Sequence, residues 1–444
     1  MAFVHDQSCE CTLSQLDLFT VPPTQTSVVS GMWTEFFPVS SITSDTAPLE
    51  FNINGGDEYL DMSSTILQVQ AKITRANGND LEAQDQVGPI NLFLHSLFSQ
   101  VDISINGRLV SHSSSTYTYR ALFESLLNYD KNSTETQLTT GLFYKDTPTK
   151  MDVANPLATN ATANLGLKKR TRFTTNSKVI DLSGPLHADI CFQGKYLLNG
   201  LDLKIKLHRA KDSFCLMSDE VAADYKVKIV GASLLIRKVT LSPPIILAHA
   251  KALEKSTAKY PIKRVLVKSF TVPQGDLSVT KEGLFTGQLP TRLVVGLVNN
   301  TAFNGSYETN PYNFQHFDLN KFGVFIDGQQ VPLRPFTPKF TGDGGQRYIL
   351  NYQTLFSGLN KLYKNFGGCL DREDYASGYA LLCLDLTSDY SGGGHFQLRK
   401  NGNLRMELGF GTPLPATVNV VVYAEFESVV EIDRSRTVYI DQGN

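Results

Sequence analysis

The stretch Val101-Asp102-Ile103-Ser104-Ile105-Asn106-Gly107-Arg108-Leu109-Val110 returns, as a pattern, in Phe322-Gly323-Val324-Phe325-Ile326-Asp327-Gly328-Gln329-Gln330-Val331. In the first copy Val101, Ile103 and Ile105 alternate with polar residues, which is the period of a strand buried on one face. Asn106-Gly107 then supplies the two positive φ angles that a type I′ hairpin turn demands. Phe322, Val324 and Ile326, followed by Asp327-Gly328, repeat the arrangement. Gly107 and Gly328 stand 221 residues apart in a chain of 444.

Two further echoes follow in the same order. After the first hairpin, Tyr119, Leu122, Phe123, Leu126 and Leu127 fall on one helical face; after the second, Tyr352, Leu355, Phe356, Leu359, Leu362, Tyr363 and Phe366 do the same. Later in each half, Leu201, Leu203, Ile205 and Leu207 match Leu404, Met406, Leu408 and Phe410, each set preceded by an Asn-Gly pair. Asn-Gly turns and amphipathic helices are common singly. Three echoes in one order point to a duplicated β-rich domain.

Length agrees, since each half is large enough for its own core. Lys and Arg number 41 against 43 Asp and Glu, a formal charge of −2, so no global field draws the chain to nucleic acid or an anionic membrane, and no specific nucleic-acid site is expected. The start, Met1-Ala2-Phe3-Val4-His5-Asp6, lacks the features of a secretory signal, and no run of 18 apolar residues offers a membrane span. The expectation is a soluble protein made in the cytosol. Six cysteines are too few for a disulfide scaffold. Cys9-Glu10-Cys11 with His5 is short of zinc spacing and lacks a second pair. Sequons at Asn132, Asn160, Asn299 and Asn304, without a secretory signal, mark polar loops.

Along the chain, residues 1–27 read as an extended arm, because Pro22-Pro23 forbids a helix interior and discourages a central strand. Strands are expected at 30–39, 49–53, 66–74, 178–182, 187–192, 201–208, 225–229 and 232–241. A short apolar helix or turn is expected at 91–99. Residues 129–176 form a long polar insertion, placed at a tip or contact surface. Its cluster Lys168-Lys169-Arg170 with Arg172 would be a solvated charged turn or, failing that, a phosphate contact. Ser242-Pro243-Pro244 opens a helix reaching Lys255 and marks the boundary between halves. Strands then follow at 260–272, 284–298, 380–386, 404–410 and 418–432, with an aromatic loop at 303–317 and Val438-Tyr439-Ile440 at the end.

Short strands parted by Gly, Pro, Asn and Asp turns predict an all-β fold, two tandem eight-stranded jelly rolls with a few short helices in loops. The predicted divisions are an arm at 1–27, a first jelly roll at 28–242, a linker helix at 243–257, a second jelly roll at 258–436 and a tail at 437–444.

Catalytic signals are missing from the sequence. The eight histidines never form the close pairs of a double-barrel cupin, and neither a Gly-x-Ser-x-Gly elbow nor a phosphate loop is present. Gly392-Gly393-Gly394 reads as a flexible loop. Asp371, Glu373 and Asp374 are an acidic group for which sequence gives no distances. No enzyme activity, cofactor or metal is expected. Aromatic residues concentrate in the loop Phe303, Tyr307, Tyr312, Phe314 and Phe317, a candidate subunit contact, with core packing the competing use for each ring.

The arm Leu16-Asp17-Leu18-Phe19-Thr20-Val21-Pro22-Pro23-Thr24-Gln25-Thr26-Ser27, taken with the duplicated halves, resembles the double jelly-roll major capsid proteins of Polinton (Maverick) elements and adintoviruses, in the lineage of adenovirus hexon. The resemblance runs through both halves. It implies a structural protein of the virion whose homotrimers form pseudo-hexagonal capsomers that tile an icosahedral shell. Its partners would be itself and minor capsid or penton proteins, after synthesis in the host cytosol and assembly in the host cell, the nucleus included. Leu16, Leu18, Phe19 and Val21 would be arm contacts beneath the shell. Ile53-Asn54-Gly55-Gly56-Asp57 loosely fits the cleavage pattern of related maturation proteases, though a β-turn is the simpler reading. The competing functions are a tandem β-sandwich module that binds carbohydrate or a receptor and, more distantly, a metal-dependent bicupin.

Overall fold

A computed structural model describes residues 4–40, 42, 47–341, 345–365, 367–390 and 394–441. Among the described residues, sixteen strands build two jelly rolls. The first contains β1 (Val28–Phe36), β2 (Leu49–Ile53), β3 (Tyr59–Arg75), β4 (Phe98–Ile105), β5 (Arg108–Leu109), β6 (Ile180–Pro185), β7 (Leu203–Arg209) and β8 (Tyr225–Leu241). The second contains β9 (Ala258–Val272), β10 (Ser278–Gln288), β11 (Arg292–Asn299), β12 (Leu319–Ile326), β13 (Gln329–Phe336), β14 (Leu381–Asp385), β15 (Asn401–Phe410) and β16 (Val418–Ile432). The sheets of the first run β1-β8-β3-β6 and β2-β7-β4-β5; those of the second run β9-β16-β11-β14 and β10-β15-β12-β13. Adding eight to any strand of the first jelly roll yields its counterpart in the second, so the duplication holds at the level of topology.

Each echo in the sequence occupies the same slot twice. Asn106 and Gly107 turn β4 into β5 with φ of 48° and 76°, and Asp327 and Gly328 turn β12 into β13 with 48° and 83°. These are the positive values a type I′ turn requires, and glycine adopts them without a Cβ clash. Leu203, Ile205 and Leu207 of β7 and Leu404, Met406, Leu408 and Phe410 of β15 all point into the two cores. The helix α1 (Tyr117–Asn128) lies between β5 and β6. Three later helices are α2 (Leu165–Thr171), α3 (Pro243–Leu253) and α4 (Ile349–Ser357), the last between β13 and β14.

Several expectations need correction. Residues 187–192 do not form a strand; Asp189–Phe192 is a 3-10 turn, because Asp189 is drawn out of any ladder to serve the second half. The strand expected over 284–298 is two, β10 and β11, parted at Leu289-Pro290-Thr291, where proline supplies no ladder donor. The segment 129–176 is folded, with α2 and a short helix Lys131–Glu135 capped by Asp130. Part of the expected tail forms a strand, Val438–Ile440, paired with Val430–Ile432 of β16; residues 442–444 lie outside the described residues. Phe366, Gly392 and Gly393 also lie outside them. Gly55 sits in the turn between β2 and β3, where a Cβ would fall 2.6 Å from the backbone nitrogen of Leu201. Close packing accounts for that glycine.

Candidate functional site

The helix α1 begins at Tyr117 and stays buried through Leu127. Its amphipathic face was legible from its spacing, but a helix buried all round needs a second partner. That partner is the other jelly roll. Tyr119 stacks on Phe303 with ring centroids 5.3 Å apart and meets Tyr312 and Phe314 edge-on, while Phe123 meets Phe314 and Tyr423 at 5.2 and 6.1 Å. Each fully buried ring contributes about 1.5–3 kcal/mol from burial. The loop Phe303–Phe317 therefore closes the junction between the two halves of one chain. Tyr312 and Phe314 are wholly interior, and Phe303, Tyr307 and Phe317 are half-buried. The interior pair has no ring surface left for another molecule.

Polar groups orient the junction. Arg120 of α1 pairs with Glu124 at 2.9 Å and with Asp189 at 2.8 Å, and Glu124 meets His187 Nδ1 at 2.6 Å. Asp189 Oδ1 accepts the backbone N–H of Val265 in β9 at 3.1 Å, and the Thr116 hydroxyl donates to the Val267 carbonyl at 3.2 Å. The Tyr423 hydroxyl donates to Glu425 at 3.0 Å, and Arg292 holds Glu425 at 2.8 Å. Burial alone would push the Glu124 carboxyl up, but the Arg120 charge and the His187 hydrogen bond prevail and hold it below its ordinary value. His95, whose ring centroid is 4.6 Å from that of His187, is driven well below the usual histidine range by burial first and the neighbouring His187 second. Arg120 and His187 line only a small pocket of about 20 Å³, room for about one water.

Of the basic cluster Lys168, Lys169, Arg170 and Arg172, Lys169 and Arg172 are exposed as a solvated turn would be, and Arg170 serves the interior. Arg170 is fully buried and pairs with Asp146 at 2.6 Å, while Asn310 of the second half donates to the other Asp146 oxygen at 2.9 Å. Lys168 donates to the Ala158 carbonyl at 2.9 Å. Neither a solvated turn nor a phosphate site describes Arg170; it is the centre of a network joining the 129–176 segment to both halves. Asp371 caps a short helix by accepting from the backbone N–H groups of Glu373 and Asp374, and Asp374 pairs with Lys145. The acidic group is structural.

The arm has a different character. Leu16, Leu18, Phe19 and Val21 are exposed along with the rest of residues 4–27, as are Cys9 and Cys11. An open cleft of about 1090 Å³ lies where the Asn106 turn meets the end of the second jelly roll, lined by Leu289, Phe396, Leu398, Glu427, Arg436 and Tyr439. Its lining mixes both charges with exposed apolar side chains. Among the described residues there is no group of three or more His, Cys, Asp and Glu placed to hold a metal, and no helix is long and apolar enough to cross a membrane. The sequence missed the Arg120, Glu124, Asp189 and His187 network. One available signal was the charged pair Arg120 and Glu124, four residues apart inside an otherwise uncharged helix.

No protein-family model matches this chain. An uncharacterised protein of Caenorhabditis elegans is 26% identical over 439 residues, covering 95% of this chain and 99% of the relative. Among solved structures, the chain superposes on a protein of the Sputnik virophage with a TM-score of 0.66 at 15% identity, covering 100% of this chain and 94% of the other. The mavirus major capsid protein follows at 0.57 and 11%, covering 99% and 97%, and the faustovirus major capsid protein at 0.54 and 10%, covering 94% and 92%. At such identities the likeness speaks for the fold, and it spans both halves: the chain is a double jelly roll of the architecture seen in these capsid proteins.

Proposed function

We propose that this protein is a non-enzymatic major capsid protein of Polinton or adintovirus type. Three copies form a pseudo-hexagonal capsomer, and capsomers tile an icosahedral virion shell assembled in the host cell. The observation that carries this reading is the permanent fusion of two jelly rolls of identical strand order through an interior junction, matched end to end by virophage and mavirus proteins. A chain that presents two similar faces per copy supplies six lobes from three copies. The exposed apolar arm, with Leu16, Leu18, Phe19 and Val21, suits docking beneath the shell against neighbouring capsomers, minor capsid proteins or penton proteins.

The test is the mass of the untagged protein by light scattering, with negative-stain imaging. The expected result is three times 49.1 kDa and threefold particles, through an interface of about 2,000 Å² or more. A monomer that persists at high concentration would sink the capsomer, and glycan-array binding by that monomer would put a carbohydrate-binding module in its place.

A further inference from the structure

Loops at one end of the second jelly roll enclose a cleft of about 590 Å³, within the roughly 300–1,000 Å³ span of small-molecule sites. It lies between the run 149–153 of the first half and the runs 313–318, 376–378 and 412–415 of the second. Strand β12 leaves it at Leu319 and ends at the Asp327 turn, so the cleft is at the end opposite that turn. The arm belongs to the turn's end. Ile326 and Asn106 line the cleft of about 1090 Å³, Asn106 accepts from the Asp202 N–H, and Asp202 accepts from Gly55, in the turn that enters β3 at Tyr59. Tyr59 opposes Val239 of β8, two residues before the Leu241 that opposes Val28.

The groups in the smaller cleft are held in place yet keep hydrogen-bonding capacity. Asp152 Oδ1 accepts the Asn310 N–H at 2.8 Å, and Oδ2 accepts the side-chain amides of Asn313 at 2.6 Å and Gln315 at 3.4 Å. Those bonds turn the two amide nitrogens to the carboxylate and leave both amide carbonyls without a partner among the described residues. The hydroxyls of Ser377 and Thr412 have none there either. The Asp318 N–H donates to His316 Nδ1 at 2.9 Å, which puts the proton of the neutral ring on Nε2. Stacking on Phe340, with centroids 4.2 Å apart, holds that ring, and burial keeps it below the usual histidine range. The half-buried Phe317 adds an apolar wall. Three lining residues other than glycine have positive φ, Thr149 at 64°, Phe317 at 45° and Asp318 at 52°. A β-branched or aromatic residue adopts that region at a cost, and such strain concentrates where a loop is shaped for a ligand.

Charge narrows the ligand. Lys150, the one Lys or Arg of the lining among the described residues, donates to the Ala161 carbonyl, so an anion would meet the Asp152 carboxylate without a free cation to offset it. A bare cation would find too few ligands. The second carboxylate, Asp318, accepts the Thr341 hydroxyl at 2.6 Å, and no described group of three His, Cys, Asp or Glu is placed to hold a metal. What remains is an array of neutral donors and acceptors, one carboxylate and one ring, which suits a ligand with many hydroxyls and an apolar C–H face. We propose that this cleft binds a neutral saccharide, with the Asp152 carboxylate and the Asn313 and Gln315 carbonyls accepting from its hydroxyls and His316 Nε2–H donating to one. The inference rests on the capsomer reading for its setting. In that reading the arm lies beneath the shell, so the cleft at the opposite end faces outward, toward the glycans of a host surface.

The test is an array of mannose-, galactose-, N-acetylglucosamine- and sialic-acid-terminated oligosaccharides, probed with the assembled full-length protein and with Asn313→Ala and Thr412→Trp. Asn313→Ala deletes one acceptor. Thr412→Trp places a large ring at an exposed position on the rim and should leave folding unchanged. The expected result is binding to neutral glycans, weakened at least about tenfold by Asn313→Ala and abolished by Thr412→Trp, with circular dichroism, melting temperature and light-scattering mass unchanged. A wild type that binds no glycan, or only sialylated ones, or that binds no better than Thr412→Trp, would overturn the cleft and leave the capsomer standing. Binding that Thr412→Trp abolishes in a protein that stays monomeric would uphold the cleft and overturn the capsomer.

Discussion

The helices α1 and α4 occupy the same slot in the two jelly rolls, and their apolar residues align at a constant offset, Tyr119 with Tyr352, Leu122 with Leu355 and Phe123 with Phe356. Leu122 and Leu355 are both buried, in the one core cluster built chiefly by the second jelly roll. The difference lies at the neighbouring positions. Phe123 is fully buried beneath the second jelly roll, whereas Phe356 is half-buried. Position 120 carries an arginine with two carboxylate partners; its counterpart, Gln353, donates to the Tyr363 hydroxyl at the surface. Amphipathic spacing specifies which face of a helix is buried. Whether its outer face is covered depends on what the rest of the chain brings there.

Three experiments probe that difference. Arg120→Ala leaves Glu124 and Asp189 buried without their cation, and should cost about 3–5 kcal/mol in urea unfolding, against about 0.5 kcal/mol or less for Gln353→Ala. Equal losses at the two sites would mean that the junction network does not stabilise the fold. Phe123→Ala opens a cavity at the interface of the lobes and should cost about 3–5 kcal/mol, whereas Phe356→Ala, half-exposed, should cost about 1–2 kcal/mol. A loss at Phe356 matching that at Phe123 in the monomer would show that α4 is already covered.

The smallest effect is on pH dependence. The folded-state pKa of His95 is depressed by burial and by His187, so the unfolded chain binds its proton more readily. Stability from this group is complete above the ordinary histidine value and declines as pH falls below it. The slope approaches about 1.4 kcal/mol per pH unit for one proton. Glu124, depressed in the fold, adds to the loss at lower pH. Melting temperature measured from pH 7.5 to 5 should fall, and His95→Gln should flatten the upper part of that fall; an unchanged profile would exclude His95 as the titrating group.

Much of the architecture was legible. The two turns were readable because only a few residue pairs tolerate consecutive positive φ angles, and the strands because burial on one face imposes alternation. The connection at 187–192 misled because its apolar residues serve a 3-10 turn held by a cross-domain hydrogen bond, which leaves no periodic trace. Arg170 misled for a related reason: three consecutive basic residues look solvated, yet the middle of the network is an aspartate 24 residues earlier and an asparagine 140 residues later.

By itself, then, the sequence determined the repeated unit, its turns, its core-facing residues and the absence of familiar catalytic motifs, because these depend on local backbone chemistry and short periods. Only the tertiary structure decided that the 303–317 rings close the interior junction, that α1 is covered on both faces while α4 is not, and that β1 is left as an open edge. Those outcomes depend on which distant surfaces meet, and the free energy of burial belongs to the pair of surfaces rather than to either segment alone.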